Sequence, residues 1–149
     1  LIRQATPADF EILWSIDQEC FVEGISYSQV ELRHFMTRRS TFTLIKEDDQ
    51  GVAGFVIAES SRRTSGHIIT IDVRARARRL GYGSVLLAAA EDRLQSGGCV
   101  AVLLEVAVDN EAAIRFYKRH GYSVVKTIPR YYLDSVDALL MGKALGKPA

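Results

Sequence analysis

Apolar and polar positions alternate along this chain in blocks whose period switches between two and about 3.6 residues, and the switches mark out its elements. Ile2–Ala5 reads as a short strand. Thr6 as a cap, Pro7 at the first helical position and Asp9 in the first turn then open a helix that runs to about Cys20. Phe21–Tyr27 reads as a loop. Ser28 caps a second helix over Gln29–Arg38, where Val30, Leu32, Phe35 and Met36 fall at roughly helical spacing. Thr41–Lys46 and Val52–Glu59 form a predicted hairpin around the turn Glu47–Gly51. Ser60–Gly66 is a polar loop and His67–Val73 a β-branched strand. Ser84–Gln95 is a helix stopped by Gly97-Gly98, Cys99–Val108 a long apolar strand, Asn110–His120 a helix stopped at Gly121, and Tyr122–Thr127 and Ala138–Ala144 closing strands. A hairpin in the first half, and a β-α-β-α-β-β order in the second, predict an α/β chain with a mixed sheet and helices on its faces. Residues 1–145 form one domain on this reading, with 146–149 a flexible tail.

Composition narrows the class. The 149 residues, 48% hydrophobic and 25% charged, match one soluble globular domain with a real core and are too few for two. A net charge of +1 leaves any cationic cluster a local device, which argues against a nucleic-acid partner. Cys20 and Cys99 lie far apart in apolar surroundings without metal-ligand spacing, so the expectation is two reduced core thiols, no metal and a cytoplasmic location. The apolar runs Val85–Ala90 and Cys99–Leu104 are too short to span a bilayer, and no membrane partner is expected.

Three segments carry chemistry. Between Val73 and Leu87 the chain leaves a strand, passes Arg74, Arg76, Arg78 and Arg79, turns at Gly81-Tyr82-Gly83 and enters a helix near Ser84. Unpaired N–H groups, a helix dipole and fixed cations in that order suit a pyrophosphate, although the same run serves equally as a plain turn with solvated arginines. The run lacks the third glycine of a dinucleotide fingerprint, since Leu86 stands there, and lacks the Gly-Lys-Ser/Thr of an NTPase loop. Glu105 sits inside an apolar strand, sharing a face with Ala101, Leu103, Ala107 and Asp109. A carboxylate there needs a pairing partner, a solvated cleft or a shifted pKa. Its place near the carboxyl end of a central strand favours a cleft. Asn110 can cap the following helix while its amide meets a ligand, and Tyr117 lies one turn beyond the small Ala113, as a packing aromatic or an acid. Ser84 is a helix-start residue or a phosphate contact, not a nucleophile; His120 favours its helix dipole; His34 and His67 have no evident partners.

Strand, Arg-x-x-Gly-x-Gly and helix, followed by strand, Asn110 and a helix with Ala-Ala-x-x-x-Tyr closing at Gly121-Tyr122, resemble the GNAT superfamily of acyl-CoA-dependent N-acyltransferases over essentially the whole chain. Leu104-Glu105-Val106, Asn110, Tyr117, Arg130-Tyr131-Tyr132, Asp137-Ala138, Met141 and Leu145 resemble the protein N-terminal acetyltransferases within it, including the ribosomal-protein-alanine enzymes. The resemblance implies a mostly antiparallel central sheet of about seven strands with about four helices. It implies acetyl-CoA as cosubstrate, with backbone amides of Ile71, Asp72 and Val73 along its arm, Arg78, Arg79, Leu80, Gly81, Tyr82, Gly83 and Ser84 at its pyrophosphate, and Asn110 beside it. Glu105 takes the role of base and Tyr117 that of acid. Phe21, Glu23 and Tyr27 on one side and Tyr131 and Tyr132 on the other would receive a protein or peptide N-terminus, with Val22 standing where family members often carry Pro. A monomer or weak dimer is expected. A small-molecule amine or a lysine side chain remains an alternative acceptor, and an idle CoA-binding or partner-binding module an alternative of another class.

Overall fold

The computed structural model describes residues 2–21, 25–60, 64–132 and 136–146. The elements are β1 (Ile2–Gln4), α1 (Phe10–Cys20), α2 (Gln29–Thr37), β2 (Thr41–Asp48), β3 (Gly51–Ser60), β4 (Ser65–Val73), α3 (Tyr82–Ser96), β5 (Ala101–Ala107), α4 (Glu111–Arg119), β6 (Ser123–Tyr132) and β7 (Val136–Ala144). Short 3-10 turns occupy Pro7–Asp9 and Ala75–Ala77. The strands make one mixed sheet in the order β1-β2-β3-β4-β5-β7-β6, antiparallel except for the parallel β4–β5 pair.

Local chemistry sets the helix starts. At α2, Ser28 Oγ accepts the Glu31 N–H at 3.1 Å while the Glu31 carboxylate accepts the Ser28 N–H at 2.9 Å, a reciprocal capping box. Before α1, Asp9 accepts the Thr6 N–H at 2.7 Å and a two-pronged contact from Arg3. Gly81, at φ +82°, takes a left-handed conformation that a side chain would strain. That lets α3 begin at Tyr82, two residues before the expected Ser84.

The core lies on both faces of the sheet. Leu86, Leu87, Ala90 and Leu94 of α3 pack on Phe42, Val56, Ile68, Val102 and Leu104, and Tyr117 of α4 joins them. Phe10, Leu13 and Ile16 of α1 and Leu32 of α2 pack on Ile45, Val52, Phe55 and Ile57. Strands β2 and β3 therefore divide their side chains between two apolar layers, which is why they read as near-continuous hydrophobic runs.

Two irregularities depart from the sequence expectation. β4 carries a bulge: Ile57 pairs with Thr70 and Ala58 with Ile68, leaving Ile69 as an extra residue. The bulge reverses the alternation, so Ile68 faces α3, Ile69 faces α1, and Ile71 and Val73 face α3 again. β6 runs to Tyr132, beyond the expected end at Thr127. The strand is at the sheet edge and is irregular between Ile128 and Tyr132, where Pro129 sacrifices no ladder bond and the Arg130 N–H goes to Asp137 at 2.9 Å. The chain stays tied down as far as Leu145, whose N–H bonds the Val100 carbonyl at 2.8 Å; residues 147–149 of the expected tail lie outside the described residues.

Close backbone approach makes Gly54 sensitive. A Cβ there would lie 2.5 Å from the Asp72 carbonyl oxygen, which belongs to the β4 ladder and cannot yield. Gly54→Ala is expected to lower unfolding stability by about 2–3 kcal/mol in a denaturant titration. Gly83→Ala, which would meet only the Phe116 ring edge at 3.3 Å, is expected to cost about 1 kcal/mol or less.

Candidate active site

The parallel ladder of β4 and β5 runs from Ser65–Ala101 to Ile68–Leu104 and then stops. Beyond that point β4 continues to Val73 against β3, and β5 continues to Ala107 against β7. The strands part, and a cavity of about 430 Å³ opens between Ile69–Ile71 on one wall and Glu105–Ala107 on the other. A second cavity of about 490 Å³ follows it past Val73 to the first turn of α3. Cys20, Phe21, Ile71, Asn110, Ala113 and Tyr117 line both, so the two form one trough.

At the α3 end, Arg78, Arg79, Gly81, Tyr82, Gly83 and Ser84 line the trough. The four arginines divide. Arg74 is held by Glu19 at 3.2 Å and Arg76 by Asp48 at 2.9 Å, both as structural ion pairs. Arg78 gives its Nε to the Val73 carbonyl at 3.2 Å, and neither Arg78 nor Arg79 has an ion-pair partner among the described residues. Arg79 adopts φ +67°, a strained conformation for a side chain of its size. Gly83 allows the Phe116 ring of α4 to pack closely. Leu80 is 59% exposed and is not part of the trough wall. His120 does more than favour its helix dipole: Nδ1 contacts the Phe116 carbonyl at 2.8 Å and Nε2 contacts Ser84 Oγ at 2.8 Å. A carbonyl only accepts, so Nδ1 carries a proton and the ring braces the Ser84 hydroxyl at the head of α3.

Glu105 and Tyr117 line the same cavity. On β5, Val102, Leu104 and Val106 pack toward α3, leaving Leu103 and Glu105 on the opposite face, as period two predicts. Glu105 Oε1 is paired with His67 Nε2 at 2.7 Å and lies 3.4 Å from the Tyr131 hydroxyl. His67 is thus not without a partner. Its register opposite Leu103 places it one same-face position from Glu105, a relation visible only once the strands are paired. Tyr117 is 8% exposed, edge-on to Phe116 and Tyr122, with burial raising its pKa. Its hydroxyl has no hydrogen-bond partner among the described residues. Asn110 accepts the Ala113 N–H at 3.2 Å through Oδ1, capping α4 while its amide N–H₂ remains for the trough.

On the side away from α3, Phe21, Ile25, Tyr27 and Tyr132 line the cavity. Tyr131 and Tyr132 stack edge to face at 4.8 Å, and burial raises the pKa of both. Glu23 lies outside the described residues. Cys20 is not a plain core thiol: it faces the trough, donates to the Val73 carbonyl at 3.3 Å, and burial pushes its pKa up to about 11, which keeps it protonated. The Asp72 side chain is turned away from the trough and buried beneath α1. Among the described residues there is no cluster of three or more His, Cys, Asp or Glu side chains fit for a metal, and no helix long and apolar enough to cross a membrane.

The comparisons bear on this arrangement directly. Residues 10–122 match the model of the acetyltransferase (GNAT) family. An uncharacterized N-acetyltransferase of Methanocaldococcus jannaschii is 33% identical over 144 residues, covering 96% of this chain and 90% of that protein. An N-alpha-acetyltransferase of Sulfurisphaera tokodaii is 30% identical over 156 residues, covering 97% and 92%. The crystal structure of Ard1 from Thermoplasma volcanium superposes with a TM-score of 0.85 at 32% identity, covering 97% of this chain and 96% of that one. With its parted β4 and β5 strands, its Arg-Gly turn at the head of α3 and these relatives, the chain belongs to the GNAT acetyltransferase family.

Proposed function

We propose that this N-acetyltransferase takes the acetyl group from acetyl-CoA and delivers it to the N-terminal α-amino group of a protein or peptide. The observation that carries the reading is the trough itself. One wall holds a His-paired carboxylate at Glu105 beside two tyrosines, and the other holds an unpartnered Tyr117 hydroxyl and a cationic helix N-terminus. The relatives named as N-alpha-acetyltransferases support the choice of acceptor.

The residues present fit the cosubstrate. Neither Arg78 nor Arg79 has an ion-pair partner among the described residues, and the first-turn N–H groups of α3 point out of a 15-residue helix toward the same space. These groups, with Ser84 braced by His120, hold the pyrophosphate; the edge of β4 at Ile71, Asp72 and Val73 holds the arm, and Asn110 meets it from α4. Bound acetyl-CoA supplies an activated thioester and a thiol leaving group. A free α-amine has a pKa of about 7.7–8.0, so it needs only modest help to lose its proton. Glu105, oriented by His67, accepts that proton directly or through one water. Tyr117, which burial keeps protonated, donates a proton to the departing sulfur. Phe21, Tyr27, Tyr131 and Tyr132, together with Glu23, receive the first residues of the acceptor, where aromatic rings grip an extended peptide without fixing its sequence.

Glu105→Gln is expected to lower kcat about a hundredfold near neutral pH, and the deficit is expected to shrink above about pH 9, where the amine deprotonates unaided. Tyr117→Phe is expected to lower kcat by about a hundredfold with little change in acceptor KM. Steady-state kinetics on a short Ala-starting peptide, beside the same peptide with a blocked N-terminus and an internal lysine, checks both. Turnover confined to the lysine peptide would overturn the α-amine reading.

The divided arginines give a second test. Arg78→Ala and Arg79→Ala are each expected to raise the Kd for CoA about tenfold in calorimetric titration, the loss of one charge-assisted phosphate contact. Arg74→Ala and Arg76→Ala, which break ion pairs to Glu19 and Asp48, are expected to leave that Kd within about twofold.

A further inference from the structure

Asp17 and Asp72 meet at the seam between α1 and β4, and neither carboxyl has a part in the proposed proton transfers. Asp17 is fully buried and Asp72 is 1% exposed. Each carboxyl has one oxygen committed. Asp17 Oδ2 accepts the Tyr27 N–H at 2.7 Å, and Asp72 Oδ1 accepts the Thr70 hydroxyl. The other two oxygens, Asp17 Oδ1 and Asp72 Oδ2, are buried without a donor from any other described residue. The two carboxyls are neighbours across the seam: Cys20, one turn beyond Asp17, bonds the carbonyl of Val73, which follows Asp72, and each carboxyl perturbs the ionisation of the other. An ionised carboxylate only accepts hydrogen bonds, so a proton on one member is what would let the two orphaned oxygens bond each other.

The surroundings favour a single negative charge on the pair. Neither aspartate has an ion-pair partner among the described residues. Glu31 of α2 adds negative potential at Asp17, and Arg78 is the cation that acts on Asp72. Cys20, Tyr27 and Tyr117 face the pair as neutral groups whose ionisation is opposed by burial and by the Asp72 charge. Burial holds Asp72 well above the usual carboxylate range and raises Asp17 as well.

The far end of this contact is Tyr27, the last residue of the loop after α1. Its carbonyl accepts from Trp14 Nε1 at 3.1 Å and from Gln18 Nε2 at 2.8 Å, and its hydroxyl donates to the carbonyl of the bulged Ile69 at 3.3 Å. Trp14, Asp17 and Gln18 share one face of α1, so a single helix face grips the loop, and Asp72 grips that face from β4.

We propose that Asp17 and Asp72 share one proton, and that this shared proton pins the acceptor-side loop at Tyr27 to the donor-side strand β4, keeping the two substrate sites in register. The roles of the two sites rest on the function proposed above; the shared proton itself does not. Asp17 and Asp72 are positioning residues, since neither touches the reacting atoms.

Two substitutions separate the proton from mere packing. Asp72→Asn retains an oxygen for the Thr70 hydroxyl and supplies a permanent N–H to Asp17; Asp72→Leu fills similar space and supplies none. The difference infrared spectrum of wild type minus Asp72→Asn at pH 7 is expected to show the C=O stretch of a protonated carboxylic acid. Tyr27 amide exchange is expected to stay within about twofold of wild type in Asp72→Asn and to rise about tenfold or more in Asp72→Leu. On the Ala-starting peptide, acceptor KM is expected to rise about tenfold in Asp72→Leu and to recover in Asp72→Asn. The sign of the pH effect follows from the raised pKa. Stability from the proton is full below the ordinary carboxyl range and is lost as pH rises through the pair's titration, so wild type loses stability relative to Asp72→Asn with rising pH. Absence of the acid band at pH 7, or Tyr27 exchange as fast in Asp72→Asn as in Asp72→Leu, would overturn the shared proton. Absence of peptide turnover with the band and the exchange pattern intact supports the shared proton and overturns the acceptor assignment alone.

Discussion

The parting of β4 from β5 after the Ile68–Leu104 pair is the constraint on which the rest of this structure depends. Two parallel strands that separate inside a sheet leave backbone N–H and C=O groups facing a gap, and such groups need partners. Several are answered from outside the ladder. Cys20 Sγ and Arg78 Nε both donate to the Val73 carbonyl, and the Tyr27 hydroxyl donates to the carbonyl of the bulged Ile69. The remaining edge of β4 adds backbone polar groups to the wall of the trough. An extended ligand bearing amides satisfies it as a missing strand would.

The bulge at Ile69 makes the gap serve two purposes. Without it, His67, Ile69, Ile71 and Val73 would share one face of β4. With it, His67 turns toward the α1 side, where Glu105 awaits it, while Ile71 and Val73 turn toward α3 and α4, where the cationic turn lies. One extra residue thus lets a single strand present His67, the partner of Glu105, to one side of the sheet and Ile71 and Val73 to the other, the two sides that the proposed reaction uses. Gly54 pays for this closeness by having no side chain where the Asp72 carbonyl passes.

Much of the site was legible because its signals are local. Gly81 before a helix, Asn110 as a cap three residues before Ala113, and Tyr117 one turn beyond Ala113 are relations within a few residues, and local rules read them correctly. Glu105 on the polar face of an apolar strand is a period-two relation of the same kind. What stayed illegible joins residues far apart. His67 and Glu105 are separated by 38 positions, His120 and Ser84 by 36, and Arg74 and Glu19 by 55. No spacing rule reports such contacts, so His67 read as partnerless and four equivalent arginines concealed two structural ion pairs. The end of β6 was missed for another reason: the strand continues through Pro129 because it lies at the sheet edge, where a missing donor costs nothing.

Tyr117 stands where the two halves of the trough join, and its surroundings explain why a tyrosine suits that point. Phe116 and Tyr122 hold the ring edge-on, and the body of the side chain is part of the core beneath α3, so the hydroxyl is fixed by packing instead of by a hydrogen bond. A hydroxyl fixed that way keeps its proton, because burial opposes its ionisation, and keeps its donor free for whatever negative charge develops beside it. Glu105 is arranged in the opposite manner. Its carboxylate is held by two polar neighbours, His67 and Tyr131, so it is an oriented acceptor. An acceptor fixed by hydrogen bonds on one wall and a donor fixed by apolar packing on the other are the polarity that the proposed transfer requires, with a proton taken from the acceptor amine at one side and one given to the leaving sulfur at the other.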